Sequence, residues 1–369
     1  MNVNEISKQL FLSFINKDTK STDGHSEVLS YCGCLALFAA LKTAENSGDE
    51  ELKNYALDMI LKFPEASKGI NYNFSSYEIG GIAAAYAFYK GYLPQLEPVM
   101  RKYAEKAMNA PRDCDGLLKS PYYKNRESVW IDTIMAETPF LLYIGLALGE
   151  GKYIDEAVNQ ALGHYDALLD TENGLLHQCR NFVSDGTVTE DHWGRGNGWG
   201  FIALTELVLY LPKDHKDRRR VELYFSRHAH ALRKYQTKHG LWRQEIPLKY
   251  SYEESSGTGL FLYGYAVGMK AGLLDRNSYV KPLKDGLNGL MTFAIKPDFS
   301  TELCCRGMRC PGFGEDKGTL EAYISVMPEP NNGHGFGTMM LAFAGAHLIG
   351  VEEAHRIEEY TYNKELDEK

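Results

Sequence analysis

Six stretches of this chain are apolar on nearly every side of a helix, and each follows a stretch that is charged on one face. GGIAAAYAFY, GNGWGFIALTELVLYL, SGTGLFLYGYAVGMKAG and GFGTMMLAFAGAHLIG are of the first kind, and DRRRVELYFSRHAHALRKYQ is of the second. A helix apolar all round must be buried on every side, whereas an amphipathic one covers it from outside. Strand-like alternation is scarce, and helical periodicity gives about twelve segments. They begin near Asn4, Val28, Glu51, Tyr77, Gln95, Asp132, Tyr153, Gly196, Arg218, Ser255, Ser278 and Gly335. Six buried helices alternating with six covering ones are what a closed double ring requires. The expected fold is therefore all-α, an (α/α)6 toroid or six-hairpin barrel. No Pro- or Ser-rich linker divides the chain, so one domain over 1–369 is expected.

In such a ring all inner helices run in one direction, so their N-termini open on one face. The long loops before them, about 109–130, 170–195, 237–254 and 294–334, share that face. Long loops in a compact domain are usually functional, so the chemistry is expected there. All four tryptophans, Trp130, Trp193, Trp199 and Trp242, fall in these loops or in the first turn of an inner helix. Rings so clustered suggest platforms for sugars, against the simpler role of anchoring loops. Asp132 opens the helix DTIMAETPFLLYIGLAL directly after Trp130 and Ile131. It is either a helix cap, which would lower its pKa, or a general acid, which burial would raise. The run Asp191-His192-Trp193-Gly194-Arg195-Gly196-Asn197-Gly198-Trp199-Gly200 is the densest feature. Its glycines allow close backbone approach to a ligand, and Arg195 at a helix N-terminus suits an anion. It lacks the ending of a P-loop. His177 and His334 lie on the same face and are candidate ligand contacts.

Other classes are disfavoured. The net charge is −9 and the basic residues form no stripe, so no nucleic-acid partner is expected. No apolar run is long enough for a membrane span, and the N-terminus does not resemble an export signal. With seven scattered cysteines, a cytoplasmic location is expected. Cys304, Cys305 and Cys310 are read as loop thiols. Neither His nor Cys shows ligand spacing, so no metal or other cofactor is expected.

The pieces VWIDTIMAETPFLLYIG, GLLHQ, HWGRGNGWG, GLWRQEI, ESSGTGLFLYGYAVGMKAG and NNGHGFGTMMLAFAG, in that order over about 129–350, resemble the unsaturated rhamnogalacturonyl hydrolases of glycoside hydrolase family 105 and their unsaturated glucuronyl hydrolase relatives. The resemblance implies the same toroid and a metal-free hydrolysis of short anionic oligosaccharides left by polysaccharide lyases. An Asp, matched here by Asp132, protonates the C4=C5 bond of the terminal uronic acid; water adds at C5, and the hemiketal opens. His177 matches a substrate-binding His, and Arg195 and Trp199 match residues around the uronate carboxylate. His192 is expected to add positive charge there. A second Asp of the family is missing near the fourth helix, where Glu78 is the nearest acid. An epimerase using histidines, an inverting glycosidase and a non-catalytic sugar-binding protein remain as alternatives.

Overall fold

The computed structural model describes residues 1–20, 24–119 and 127–358. Residues 120–126 of the expected 109–130 loop lie outside them, as do 359–369 of the expected domain. The helices are α1 (Val3–Lys17), α2 (Tyr31–Ser47), α3 (Glu50–Ala66), α4 (Gly81–Tyr89), α5 (Glu97–Met108), α6 (Asp132–Leu148), α7 (Gly151–Leu168), α8 (Gly194–Tyr210), α9 (Arg218–Arg233), α10 (Ser255–Lys270), α11 (Arg276–Gly289), α12 (Leu320–Ile324) and α13 (Gly333–His347). Eleven of the twelve expected starts fall within three residues of these; the fourth falls four residues early, in a 3-10 turn over Ser75–Ile79. The short α12, inside the last long loop, was not expected.

Packing runs α2–α4–α6–α8–α10–α13 and back to α2, which closes the inner ring. Outside it, α1 lies on α13 and α2, α3 on α2, α5 and α7 on α6, α9 on α8, and α11 on α10. The all-round apolar sequences account for this division. On α10 every residue from Ser255 to Gly268 is buried, whereas α9 buries only Val221, Phe225, His228, Ala229, Ala231 and Leu232. Two-residue connections such as Gly48–Asp49 and Gly149–Glu150, each with its glycine in the left-handed region, turn inner helices into outer ones at one end. The long loops gather at the other end. There they pair as three short antiparallel ribbons: β1 (Val129–Trp130) with β2 (Cys179–Arg180), β3 (Trp242–Arg243) with β4 (Glu253–Glu254), and β5 (Cys304–Cys305) with β6 (Pro328–Glu329).

The ring axis is filled, not open. Tyr143 and Tyr263 both donate to Glu206, and Lys42 lies 3.7 Å from the same carboxylate and over the rings of Phe38 and Tyr86. A buried charge so paired and hydrogen-bonded plugs the barrel below the mouth.

Small residues set how closely the inner helices approach. A Cβ on Gly259 of α10 would stand 2.5 Å from the Thr338 carbonyl oxygen of α13. Gly151, at the start of α7, has nothing within 4 Å and an ordinary φ. Gly259→Ala should cost about 1–3 kcal/mol by overpacking, and Gly151→Ala should be neutral or gain about 0.4–1 kcal/mol. Urea midpoints of the two variants check this; equal midpoints would contradict the close packing.

Candidate active site

The inner N-termini converge at the mouth. Asp132 is the first residue of α6, and Ile131, not Asp132, occupies the cap position. The capping role is therefore not the one it plays. The residue is half-buried, yet its Oδ2 is shut off from solvent and accepts no hydrogen bond. Desolvation raises its pKa from 3.8 to about 6, against the opposing charge of Arg195 and the neighbouring Gln178 amide. An acid that stays partly protonated near neutrality but is reachable from the cleft suits proton donation.

Arg195, in the first turn of α8, is fully buried. Its Nη1 donates to Ser256 Oγ (3.0 Å) and the Cys305 carbonyl (2.5 Å), and its Nη2 to the Arg306 carbonyl (2.8 Å). The guanidinium lies 4.6 Å from the Trp193 ring centroid and 3.9 Å from Glu254, and its Nε–H alone has no partner. His334, at the start of α13, is paired at both ring nitrogens, with Asn332 Oδ1 at 2.5 Å and with the Tyr31 hydroxyl. Since Asn332 Oδ1 only accepts, Nδ1–H donates to it and Nε2 accepts from Tyr31. Burial, and then the Arg195 charge, push His334 well below its usual pKa, so it stays neutral. Trp199 meets the Tyr31 ring edge-on at 6.4 Å.

Residues 6–348 match the family described as Glycosyl Hydrolase Family 88. The chain belongs to that family. It is 29% identical over 237 residues to an unsaturated 3S-rhamnoglycuronyl hydrolase of Formosa agariphila, covering 61% of this chain and 58% of that protein. It is 26% identical over 153 residues to the unsaturated rhamnogalacturonyl hydrolase YesR of Bacillus subtilis, covering 40% and 44%. The matched stretches thus span about half the length of these relatives. Among solved structures, a possible GH105 member from Salmonella enterica superposes with a TM-score of 0.81 at 22% identity, covering 94% of this chain and 93% of that one. Unsaturated glucuronyl hydrolase from Bacillus sp. GL1 gives 0.69 at 15% identity, covering 96% and 97%. These likenesses fix the fold as the family's (α/α)6 toroid.

Within this family 88 chain several expected roles need correction. Glu78 turns away from the mouth: it accepts from Tyr103 (2.7 Å) and Lys106 (2.8 Å) of outer helix α5. From the same turn it is the buried Ser76 that faces α6, 3.3 Å from Glu137. Trp242 is a packing residue, its indole N–H donating to the Leu232 carbonyl and its ring lying against Phe261 and Tyr265. Trp130 is enclosed with Cys179, Phe182 and Cys310. Neither offers a face to a sugar. Trp193 and Trp199 flank Arg195 and Tyr31 and are also buried. Arg195 holds the 305–306 segment with both Nη groups, so the two-pronged grip on a free carboxylate does not fit this geometry. The glycines of the GRGNGWG run pack rather than open a cradle, a Cβ on Gly198 meeting Leu260 at 2.5 Å and one on Gly200 meeting Leu176 at 2.6 Å. His177 and His192 do lie together, ring centroids 4.7 Å apart. Burial, and then the neighbouring His177, lower the His192 pKa, so it adds little charge.

Three residues of the site lie in the quoted motifs but were given no role of their own from the sequence. Gln178 gathers the mouth: its amide donates to the Met308 carbonyl and its carbonyl accepts from Cys310 N–H and Tyr323. Asp191 accepts from the backbone N–H groups of Gln178 and Trp193. Glu245 accepts from His192 N–H, and burial beside Asp191 pushes its pKa far up, so it holds its proton. Most of their partners are remote in sequence, Gln178 reaching 308–323 and Glu245 reaching His192, so the motifs do not announce what these side chains do.

The raised pKa has a stability consequence. A carboxyl that binds its proton more tightly folded than unfolded favours the fold fully below 3.8 and loses that advantage as pH rises through about 6. Asn at this position does not titrate. Asp132→Asn should therefore be the more stable protein at about pH 8, by about 1–3 kcal/mol, with the gain fading near pH 4. Melting temperatures at the two pH values check this; a variant less stable at both contradicts it.

Proposed function

We propose that this chain is a hydrolase that removes the 4,5-unsaturated uronic acid from the non-reducing end of short, lyase-generated oligosaccharides. The observation that carries the reading is Asp132: a half-open carboxyl with an unpartnered, desolvated Oδ2 and a pKa raised to about 6, beside the buried Arg195. In the proposed reaction the Asp132 proton goes to C4 while water supplies a hydroxyl to C5. The water's second proton returns to Asp132, and the C5 hemiketal opens to a ketone and releases the next sugar. Arg195 provides a fixed positive potential for the uronate, and His177, Trp193, Trp199 and His334 form the surroundings. The rhamnose-linked uronides named for the two curated relatives are the favoured substrate class. The free thiols, six of the seven buried, support a cytoplasmic site of action.

The alternatives fit less well. An inverting glycosidase needs a second carboxylate roughly 6.5–9.5 Å away to activate water. Asp191 and Glu245 are buried and bound to backbone N–H groups, and Glu137 is sealed against Ser76 with its pKa pushed up to about 7 by burial. An epimerase needs titrating histidines, and His334 is held neutral with both nitrogens engaged.

Lyase digests of rhamnogalacturonan, ulvan and glycosaminoglycans test the reading through loss of double-bond ultraviolet absorbance. The rhamnose-linked digests should lose it fastest, and Asp132→Asn should slow the loss at least about a hundredfold. Cleavage of saturated glycosides with no absorbance change, or near-normal turnover by the variant, would contradict it.

A further inference from the structure

On the segments that precede α8 the mouth carries a second cluster, to which the proposed hydration assigns no proton transfer. Asp170 sits in a tight turn closed by the Leu169–Leu176 bridge, with its Oδ1 accepting from Glu172 N–H. His177 follows that turn, and His192 comes from the segment before α8. One donor atom from each of the three lies within 4.8 Å of the other two. His192 Nε2 is 2.9 Å from Asp170 Oδ2. Two ligands each about 2.1 Å from one Zn2+ ion stand about 3.0–3.4 Å apart, so this separation is close to a shared coordination edge.

The orientation of His177 points the same way. Its Nδ1 is 3.0 Å from the Asp191 carbonyl oxygen, so Nδ1 carries the proton and donates. The lone pair is then on Nε2. A histidine whose second nitrogen donates to a backbone carbonyl is the usual outer-shell arrangement around a bound metal. The cluster is also accessible: the side chains of His192 and Asp170 keep 14% and 21% of their surface. The Asn173 amide nitrogen, 2.6 Å from Asp170 Oδ2 and 3.0 Å from His192 Nε2, stands at the same two donor atoms, and an ion enters as this amide swings aside. By contrast His215 and Asp155, 3.0 Å apart, form a similar pair on the outer surface with no third ligand among the described residues.

We propose that Asp170, His177 and His192 form a binding site for a borderline divalent cation, Zn2+ or Co2+, held by two imidazoles and one carboxylate. Hard ions such as Mg2+ and Ca2+ prefer all-oxygen shells and are excluded by the donor set. The ion takes no step in the hydration. Filling the site engages the His177 ring, next in sequence to Gln178 beside Asp132, and so couples cation level to sugar binding. The linear sequence hides the site because its ligands are separated by seven and fifteen positions, unlike the short spacings of zinc motifs.

The test uses the full chain without sugar, so its outcome is separate from that of the hydrolase reading. Zn2+ titration by calorimetry should show one equivalent bound, and Co2+ should give a visible ligand-field spectrum without a thiolate charge-transfer band. Asp170→Asn, which keeps the turn's oxygen acceptor, and His192→Gln should each weaken binding at least about tenfold, while His215→Gln should leave it unchanged. Circular dichroism confirms that the variants fold, and if His192→Gln does not, Asp170→Asn decides. No saturable binding, binding unaffected by Asp170→Asn, or a thiolate band placing the ion on cysteines would overturn the proposal.

Discussion

A guanidinium with no access to water is the most demanding group in this protein. Burying a charge is costly unless its donors are matched and an opposite charge is near. Arg195 meets that demand with groups from two separate segments: the Glu254 carboxylate and Ser256 at the start of α10, and the carbonyls of Cys305 and Arg306. Glu254 in turn caps α10 through the Ser256 and Gly257 N–H groups and accepts from Cys305 N–H. Closing the ring between α8 and α10 and seating the 305–306 segment over the mouth are therefore one event. The indole of Trp193 lies beside the guanidinium and completes the enclosure.

That enclosure sorts the acids of the mouth. Glu254 is spent on Arg195 and the helix cap. Asp191 is spent on two backbone N–H groups, and Glu245 keeps its proton because it is buried, with the nearby Asp191 charge adding to the effect. Asp132 is left with a shielded, unpartnered oxygen and a pKa near 6, tempered but not overcome by the Arg195 charge. Glu245 and Glu137 also keep one unpartnered oxygen, but both are fully enclosed, so what sets Asp132 apart is that its raised pKa goes with partial exposure to the cleft.

The architecture was legible in the sequence because it rests on composition around whole helices. A stretch such as SSGTGLFLYGYAVGMK has no polar face to show to water, and the structure buries it in the ring. Asp132, Arg195 and His334 were legible because a helix start on the open face is a position that a ring predicts. Side-chain direction was not. Glu78 and Ser76 share one 3-10 turn, and only the turn's placement decides that Ser76 faces α6 while Glu78 reaches α5. Trp242 lies in a mouth loop, but its strand register turns the ring inward to Phe261. The Lys42–Glu206 plug was hidden because the two residues sit on different inner helices far apart in sequence, and meet only when the ring closes.

Proton donation by Asp132 requires that it hold its proton near neutrality. The direct measurement is a carbon-13 NMR titration of aspartate-labelled protein, with the Asp132 carboxyl resonance assigned by its absence in Asp132→Asn. A midpoint at about 6 is predicted. A midpoint at or below the ordinary 3.8 would show a solvated or well-paired carboxylate and would contradict the account.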